Sequence, residues 1–164
     1  MPERSIVPVA DEDLATIEEI RELFAEYYEW LGEVVCSYRL AEEIANLPGP
    51  YAAPSGRLFI ARDAAGGVLG CAGVRPHSPG RAEIKRLYVR PAARGTGLGR
   101  ALAEAAIEAA RQLGYVEALI STLPDSMPVA APMYARMGFV ETECFADHDH
   151  ADEGVTMLYL AKRL

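Results

Sequence analysis

The chain has 164 residues, 51% of them hydrophobic and 24% charged, with a formal net charge of −8. That length suits a single domain over residues 1–164 with its own core, and the acidic balance excludes general binding to nucleic acid or an anionic membrane surface, which both need a basic face. No apolar run is long enough to span a bilayer, and no apolar leader comes after Met1-Pro2-Glu3-Arg4-Ser5, so a cytoplasmic protein is expected.

Residues 5–10 read as a short strand. Asp11 and Asp13 can cap a helix in which Leu14, Ile17, Ile20, Phe24, Tyr28 and Leu31 recur at helical spacing as far as Gly32. A second helix is expected over residues 37–46, stopped before Pro48, and residues 47–56 form a Pro/Gly/Ala-rich loop. Residues 58–63 and 68–75 are strands joined by a hairpin turn at Ala64-Ala65-Gly66-Gly67. Residues 76–80 make another turn, and residues 82–89 form a third central strand that Pro91 prevents from continuing. Leu98, Ala101, Leu102, Ala105, Ala109 and Leu113 line one face of a long helix ended by Gly114. Residues 116–121 are a strand, 128–137 a helix ended by Gly138, and 139–145 with 155–161 a closing hairpin. This order gives an α/β protein: a mixed sheet of about six to seven strands flanked by four helices. Cys36, Cys71 and Cys144 have no framework or zinc spacing and read as reduced thiols.

The turn Arg94-Gly95-Thr96-Gly97-Leu98-Gly99-Arg100 lies between the third central strand and the long helix. A turn of this kind presents bare N–H groups and the positive end of a helix dipole to a phosphate. Glycine adds close approach, and Arg94 and Arg100 add fixed charge. A Walker A loop is excluded because Arg100 and Ala101 come after Gly99, and Gly95, Gly97 and Gly99 give GxGxG rather than the dinucleotide GxGxxG. The remaining pattern is Arg-x-x-Gly-x-Gly, from Arg94, Gly97 and Gly99.

With Glu83-Ile84-Lys85-Arg86-Leu87-Tyr88-Val89 before that turn and Met133-Tyr134-Ala135-Arg136-Met137-Gly138-Phe139 after it, the chain resembles the GNAT (Gcn5-related) N-acetyltransferases over residues 58–145. Leu47-Pro48-Gly49-Pro50-Tyr51 and Gly56-Arg57-Leu58 resemble its short single-domain subgroup. The resemblance implies a GNAT-like acyl-CoA N-acyltransferase fold, acetyl-CoA as cosubstrate, no metal, and a small-molecule or peptide amine as acceptor. Attack would be direct, in a ternary complex. Dimers are common in this fold, and a homodimer is left open.

The resemblance also implies residue roles. Residues 94–100 hold the pyrophosphate. Around Leu87, Tyr88 and Val89 the strand splays from its neighbour, and freed N–H groups bind the thioester carbonyl and the pantetheine arm; a bulge would free them. Tyr134 is the acid that protonates the leaving thiolate. Glu83, on one strand face with Lys85, Leu87 and Val89, is the candidate base for the amine, directly or through water, with a salt bridge to Lys85 or Arg81 as the alternative. The family's helix often begins with an Asn, and this chain has Ser126-Met127-Pro128 there. Pro132 inside that helix would kink it, so either the helix starts later or Tyr134 is displaced. Asp147-His148-Asp149-His150-Ala151-Asp152-Glu153 matches no standard metal spacing and reads as a flexible hairpin loop near enough to the acceptor pocket to bind a cationic group. Tyr27, Tyr28, Trp30, Tyr38 and Tyr51 divide between core and acceptor wall. A non-catalytic CoA-binding domain of this fold and a nucleotide-binding protein are the alternative functions.

Overall fold

The computed structural model describes residues 3–32, 37–146 and 156–164. Its elements are β1 (Arg4–Val9), α1 (Leu14–Leu31), α2 (Ser37–Ala45), β2 (Arg57–Asp63), β3 (Val68–Ser78), β4 (Arg81–Val89), α3 (Leu98–Gln112), β5 (Glu117–Thr122), α4 (Ala130–Arg136), β6 (Val140–Glu141) and β7 (Leu158–Arg163). The strands form one seven-stranded sheet in the order β1-β2-β3-β4-β5-β7-β6. Every pairing is antiparallel except β4 with β5. No described helix is long and apolar enough to cross a membrane.

The sheet is packed on both faces. On one, Leu98, Leu102, Ala103, Ala106 and Ala110 of α3 meet Ala72, Val74, Ala82, Ile84, Ala118 and Ile120. The alanines bring α3 close to the strands, so the start of this helix sits low against the sheet. On the other face, Ile17, Ile20, Leu23 and Phe24 of α1 cover Leu58, Ile60, Cys71 and Tyr88. The Asp13 carboxylate accepts the Thr16 N–H at 3.1 Å and caps α1, as its position suggests.

Two irregularities in β4 create the site. The first is a bulge. Cys71 pairs with Tyr88 and Gly73 with Lys85, so Arg86 and Leu87 together oppose Ala72. Arg86 takes φ 57° there, the one positive φ outside glycine among the described residues. Its carbonyl accepts from the Cys71 thiol at 3.3 Å, and its guanidinium Nε donates to Glu43 at 2.7 Å. The second is a split. β4 pairs with β5 only from Arg81–Glu117 to Glu83–Leu119, and beyond that the two strands part.

The bulge corrects the expectation that Glu83, Lys85, Leu87 and Val89 share a face. One extra residue reverses the alternation of side chains. Lys85 stays opposite Gly73, on the α1 side, whereas Leu87 and Val89 pack in the α3 cluster.

Three other boundaries differ from expectation. β3 runs on to Ser78 through a second irregularity at His77, where Pro76 is tolerated because a bulge needs no regular ladder. α4 begins at Ala130, not 128, so Pro132 lies in its first turn, where no intrahelical N–H bond is required. β6 is only Val140–Glu141, because Phe145 turns away to pack edge-on against His77 and Tyr159, with centroids 5.4 and 5.2 Å apart. The loop of residues 147–153 and the start of the expected last strand, Val155, lie outside the described residues, as does Cys36.

Candidate active site

The split between β4 and β5 opens a cavity of about 1020 Å³. It runs from the start of α3, past the bulge and Tyr134, to a charged end bordered by Arg75, His77, Glu83, Lys85 and Arg86. Tyr27 and Trp30 of α1 form part of its wall.

At one end lies the glycine turn. Gly95 and Gly97 have φ of 75° and 81°, which side chains rarely adopt, and Gly97 precedes the first residue of α3. The first backbone bond into the helix runs from the Ala101 N–H to the Gly97 carbonyl at 3.1 Å. The N–H groups of Leu98, Gly99 and Arg100 therefore have no intrahelical acceptor, the usual condition of a helix start. A Cβ on Gly95 would meet nothing within 4 Å, so the space beside the turn is open. Arg94 is held by a bond to the Val89 carbonyl at 3.0 Å, and its guanidinium lies 4.7 Å from the Trp30 ring centroid. Arg100 pairs with Glu104 at 2.9 Å. These groups fit a diphosphate.

Leu87, Tyr88, Val89, Arg94, Gly95, Gly97, Leu98, Gly99 and Arg100 all border the cavity. Thr96 does not. Its hydroxyl donates to the Ala93 carbonyl at 2.6 Å and accepts from Arg4 Nη1 at 3.1 Å, while its carbonyl also accepts from that nitrogen at 3.0 Å. Thr96 braces the turn, and Arg4, on β1, clamps it from outside. Arg4→Ala is expected to raise the KM for a diphosphate-bearing substrate held at this turn about fivefold with little change in kcat, since a partly buried hydrogen bond is worth about 1 kcal/mol. Steady-state kinetics would check it; an unchanged KM would mean that the turn holds its shape alone.

Tyr134 stands on α4, 5% exposed, its ring 5.6 Å from that of Phe139. Its hydroxyl has no hydrogen-bond partner among the described residues. Burial, with a smaller contribution from Tyr27, pushes the phenol above its ordinary range, so it stays protonated at neutral pH. Lys162 Nζ donates to the Met137 carbonyl at 2.7 Å and ties the end of α4 to β7. Also in the cavity wall, the Thr122 hydroxyl is buried without a partner among the described residues. An orphaned hydroxyl is costly in a core but is satisfied by a polar ligand, so this wall also fits the amide-bearing arm of an acyl-CoA.

Glu83 is 4% exposed. Its Oε1 accepts from Arg75 Nε at 3.1 Å and from Arg75 Nη2 at 2.8 Å, as expected for residues directly opposite in β3 and β4. Its Oε2 lies 3.8 Å from Lys85 Nζ. Of the two expected salt bridges, the one with Lys85 is present and Arg81 pairs with Glu117 instead, at 2.8 Å. Burial pushes the Cys71 thiol up to about 12, and it is a core group with no nucleophilic role.

Sequence reasoning missed Arg75, His77, Thr122 and Glu43. His77 donates its Nε2–H to the Phe145 carbonyl at 2.8 Å and braces the cavity rim. Glu43 accepts from Tyr51 at 2.8 Å and from Arg86, joining α2 to the bulge. Tyr51 belongs to the core.

Residues 17–139 match the model of the acetyltransferase (GNAT) family. A protein of Schizosaccharomyces pombe named as an uncharacterized N-acetyltransferase is 37% identical over 128 residues, covering 77% of this chain and 78% of that one. A GNAT-family acetyltransferase from Staphylococcus aureus superposes with a TM-score of 0.77 at 16% identity, over 99% of both chains. One from Elizabethkingia anophelis, with acetyl-CoA bound, gives a TM-score of 0.68 at 18% identity over 98% of both chains.

Proposed function

We propose that this chain, which belongs to the acetyltransferase (GNAT) family and is an acetyl-CoA-dependent acyltransferase, moves the acetyl group onto a primary amine by direct attack in a ternary complex. The observation that carries this reading is the split of β4 from β5 at the bulge, which joins the helix start, the freed strand edge and the Tyr134 hydroxyl in one cavity. Bound acetyl-CoA would supply an activated thioester. The α3 N-terminus with Arg94 and Arg100 would hold its diphosphate. One backbone N–H, at Val89 or Leu87, would polarise the thioester carbonyl and others would bind the pantetheine amides; preorganised donors of this kind are often the largest catalytic contribution. Glu83 would take the amine proton through Oε2, the oxygen not bonded to Arg75. Tyr134 would give its proton to the departing sulfur.

The start of α4 at Ala130 puts Pro132 in a first turn, which favours the catalytic reading of Tyr134 over a non-catalytic one. Calorimetric titration with acetyl-CoA, with ATP and NAD as controls, tests the donor. Thiol release with a panel of amines tests turnover. Selective acetyl-CoA binding without turnover of any amine would restore the non-catalytic reading, and equal binding of ATP or NAD would favour a nucleotide-binding protein.

Glu83→Gln is expected to lower kcat by about 10²-fold at neutral pH, in the range for loss of one general base. The loss should shrink as pH rises, because the amine then arrives deprotonated. A pH–rate profile parallel to that of the wild type would assign the proton transfer elsewhere.

A further inference from the structure

At the charged end of the cavity, cations outnumber carboxylates among the described residues. Arg75, Lys85 and Arg86 border it, and Glu83 is its one bordering carboxylate among the described residues. Glu43, on α2 behind them, is the other acid in the cluster. Most of these charges are committed to one another. Glu43 accepts from Tyr51 through Oε1 and from Arg86 through Oε2. Arg75 gives two N–H groups to Glu83 Oε1 and approaches Glu43 at 3.7 Å. Lys85 is different: its nearest acid is Glu83 Oε2 at 3.8 Å, beyond hydrogen-bond range, and it makes no side-chain hydrogen bond among the described residues. Among the described residues, three cations stand against two carboxylates.

Burial of such a charge is costly unless something pairs with it. Lys85 has a side chain only 22% exposed, and desolvation pulls its ammonium down to about 8 in spite of Glu83. The Lys85 ammonium and Glu83 Oε2 thus stand side by side on the cavity wall, one of each sign. That is the complement of a molecule with an amine and an acid on neighbouring atoms: the carboxylate oxygen faces its ammonium and the lysine faces its carboxylate.

We propose that the acetyl acceptor is a small amino-carboxylic acid, and that Lys85 binds its carboxylate. This rests on the reading that an amine is acetylated in this cavity. A polycationic acceptor, such as a polyamine or an aminoglycoside, would bring further positive charge to an end where cations already exceed carboxylates among the described residues.

The test is thiol release from acetyl-CoA by the purified full chain. The acceptors are the common amino acids, each with its carboxamide counterpart, together with spermidine and kanamycin. At least one acid should be turned over with kcat/KM about 10- to 100-fold above its amide, the range for one hydrogen bond to a charged group. In Lys85→Met that ratio should fall toward one, and Lys85→Arg should largely keep it. Acetyl-CoA titration of each variant reports whether it is folded. Amides or polyamines turned over as well as the acids, or an acid-to-amide ratio unmoved in a folded Lys85→Met, would overturn the proposal. Acetyl-CoA binding without turnover of any acid would overturn it too. Absence of acetyl-CoA binding by the wild type would instead sink the transferase reading itself.

Discussion

Gly99→Trp is expected to weaken acetyl-CoA binding by about 100-fold or more, the equivalent of about 2.8 kcal/mol, while leaving the melting temperature close to that of the wild type. Gly99 sits in the first turn of α3 with no positive φ, unlike Gly95 and Gly97. A side chain there is therefore free of the backbone strain that would confuse the same experiment at the other two. A Cβ at Gly99 would meet nothing closer than Val89 at 3.9 Å and Leu87 at 4.0 Å, so an indole would enter the space over the helix start. It would cover the N–H groups of Leu98, Gly99 and Arg100 that have no other acceptor. Calorimetry and a thermal melt on the same preparation check both halves. Unchanged affinity would mean that the diphosphate lies elsewhere. If the melt drops, Gly99→Leu fills less space and repeats the test.

Tyr134→Phe should lower kcat by about 10²-fold and leave acetyl-CoA affinity near the wild-type value, as for removal of one positioned acid. Phe preserves the edge-on contact with Phe139 and the burial of the ring. Only the hydroxyl is lost, and it makes no hydrogen bond within the described protein, so stability should hardly change. Turnover assays with the acceptor that gives the highest rate would decide it. A variant that keeps its kcat would show that solvent protonates the thiolate, and Tyr134 would then be a core residue.

Much of this arrangement was legible in the sequence because its signals are local. Helical periodicity in α1 and α3, glycines at the α3 start and the Tyr-x-x-x-Gly-Phe run each lie within a few residues. The bulge was not legible as a position. Arg86 adopts a glycine-like φ with no glycine to announce it, and what holds it there is Glu43, far away in the chain. The side-chain facing of Leu87 and Val89 failed for the same reason, since alternation is only as good as the register. Arg75 and Lys85 look like ordinary strand charges until β3 is laid beside β4. Thr96 sits inside a phosphate-binding pattern, and its side-chain hydroxyl is committed to Ala93 and Arg4, partners the pattern does not announce. The late start of α4 carries no capping side chain to announce it, and a proline in a first turn or in a helix interior has the same spelling.

The bulge has a further consequence for how such a protein can change. It works like a frameshift in the middle of one strand. Residues upstream of it, Glu83 and Lys85, are in one frame, which on the proposed reading addresses the acceptor, and residues downstream, Leu87 and Val89, are in the other, which on that reading addresses the donor. Substitutions in one half of β4 are therefore insulated from the other half. A lineage, or an engineer, could retune what receives the acyl group through Glu83 and Lys85 while the machinery that grips acetyl-CoA is inherited intact.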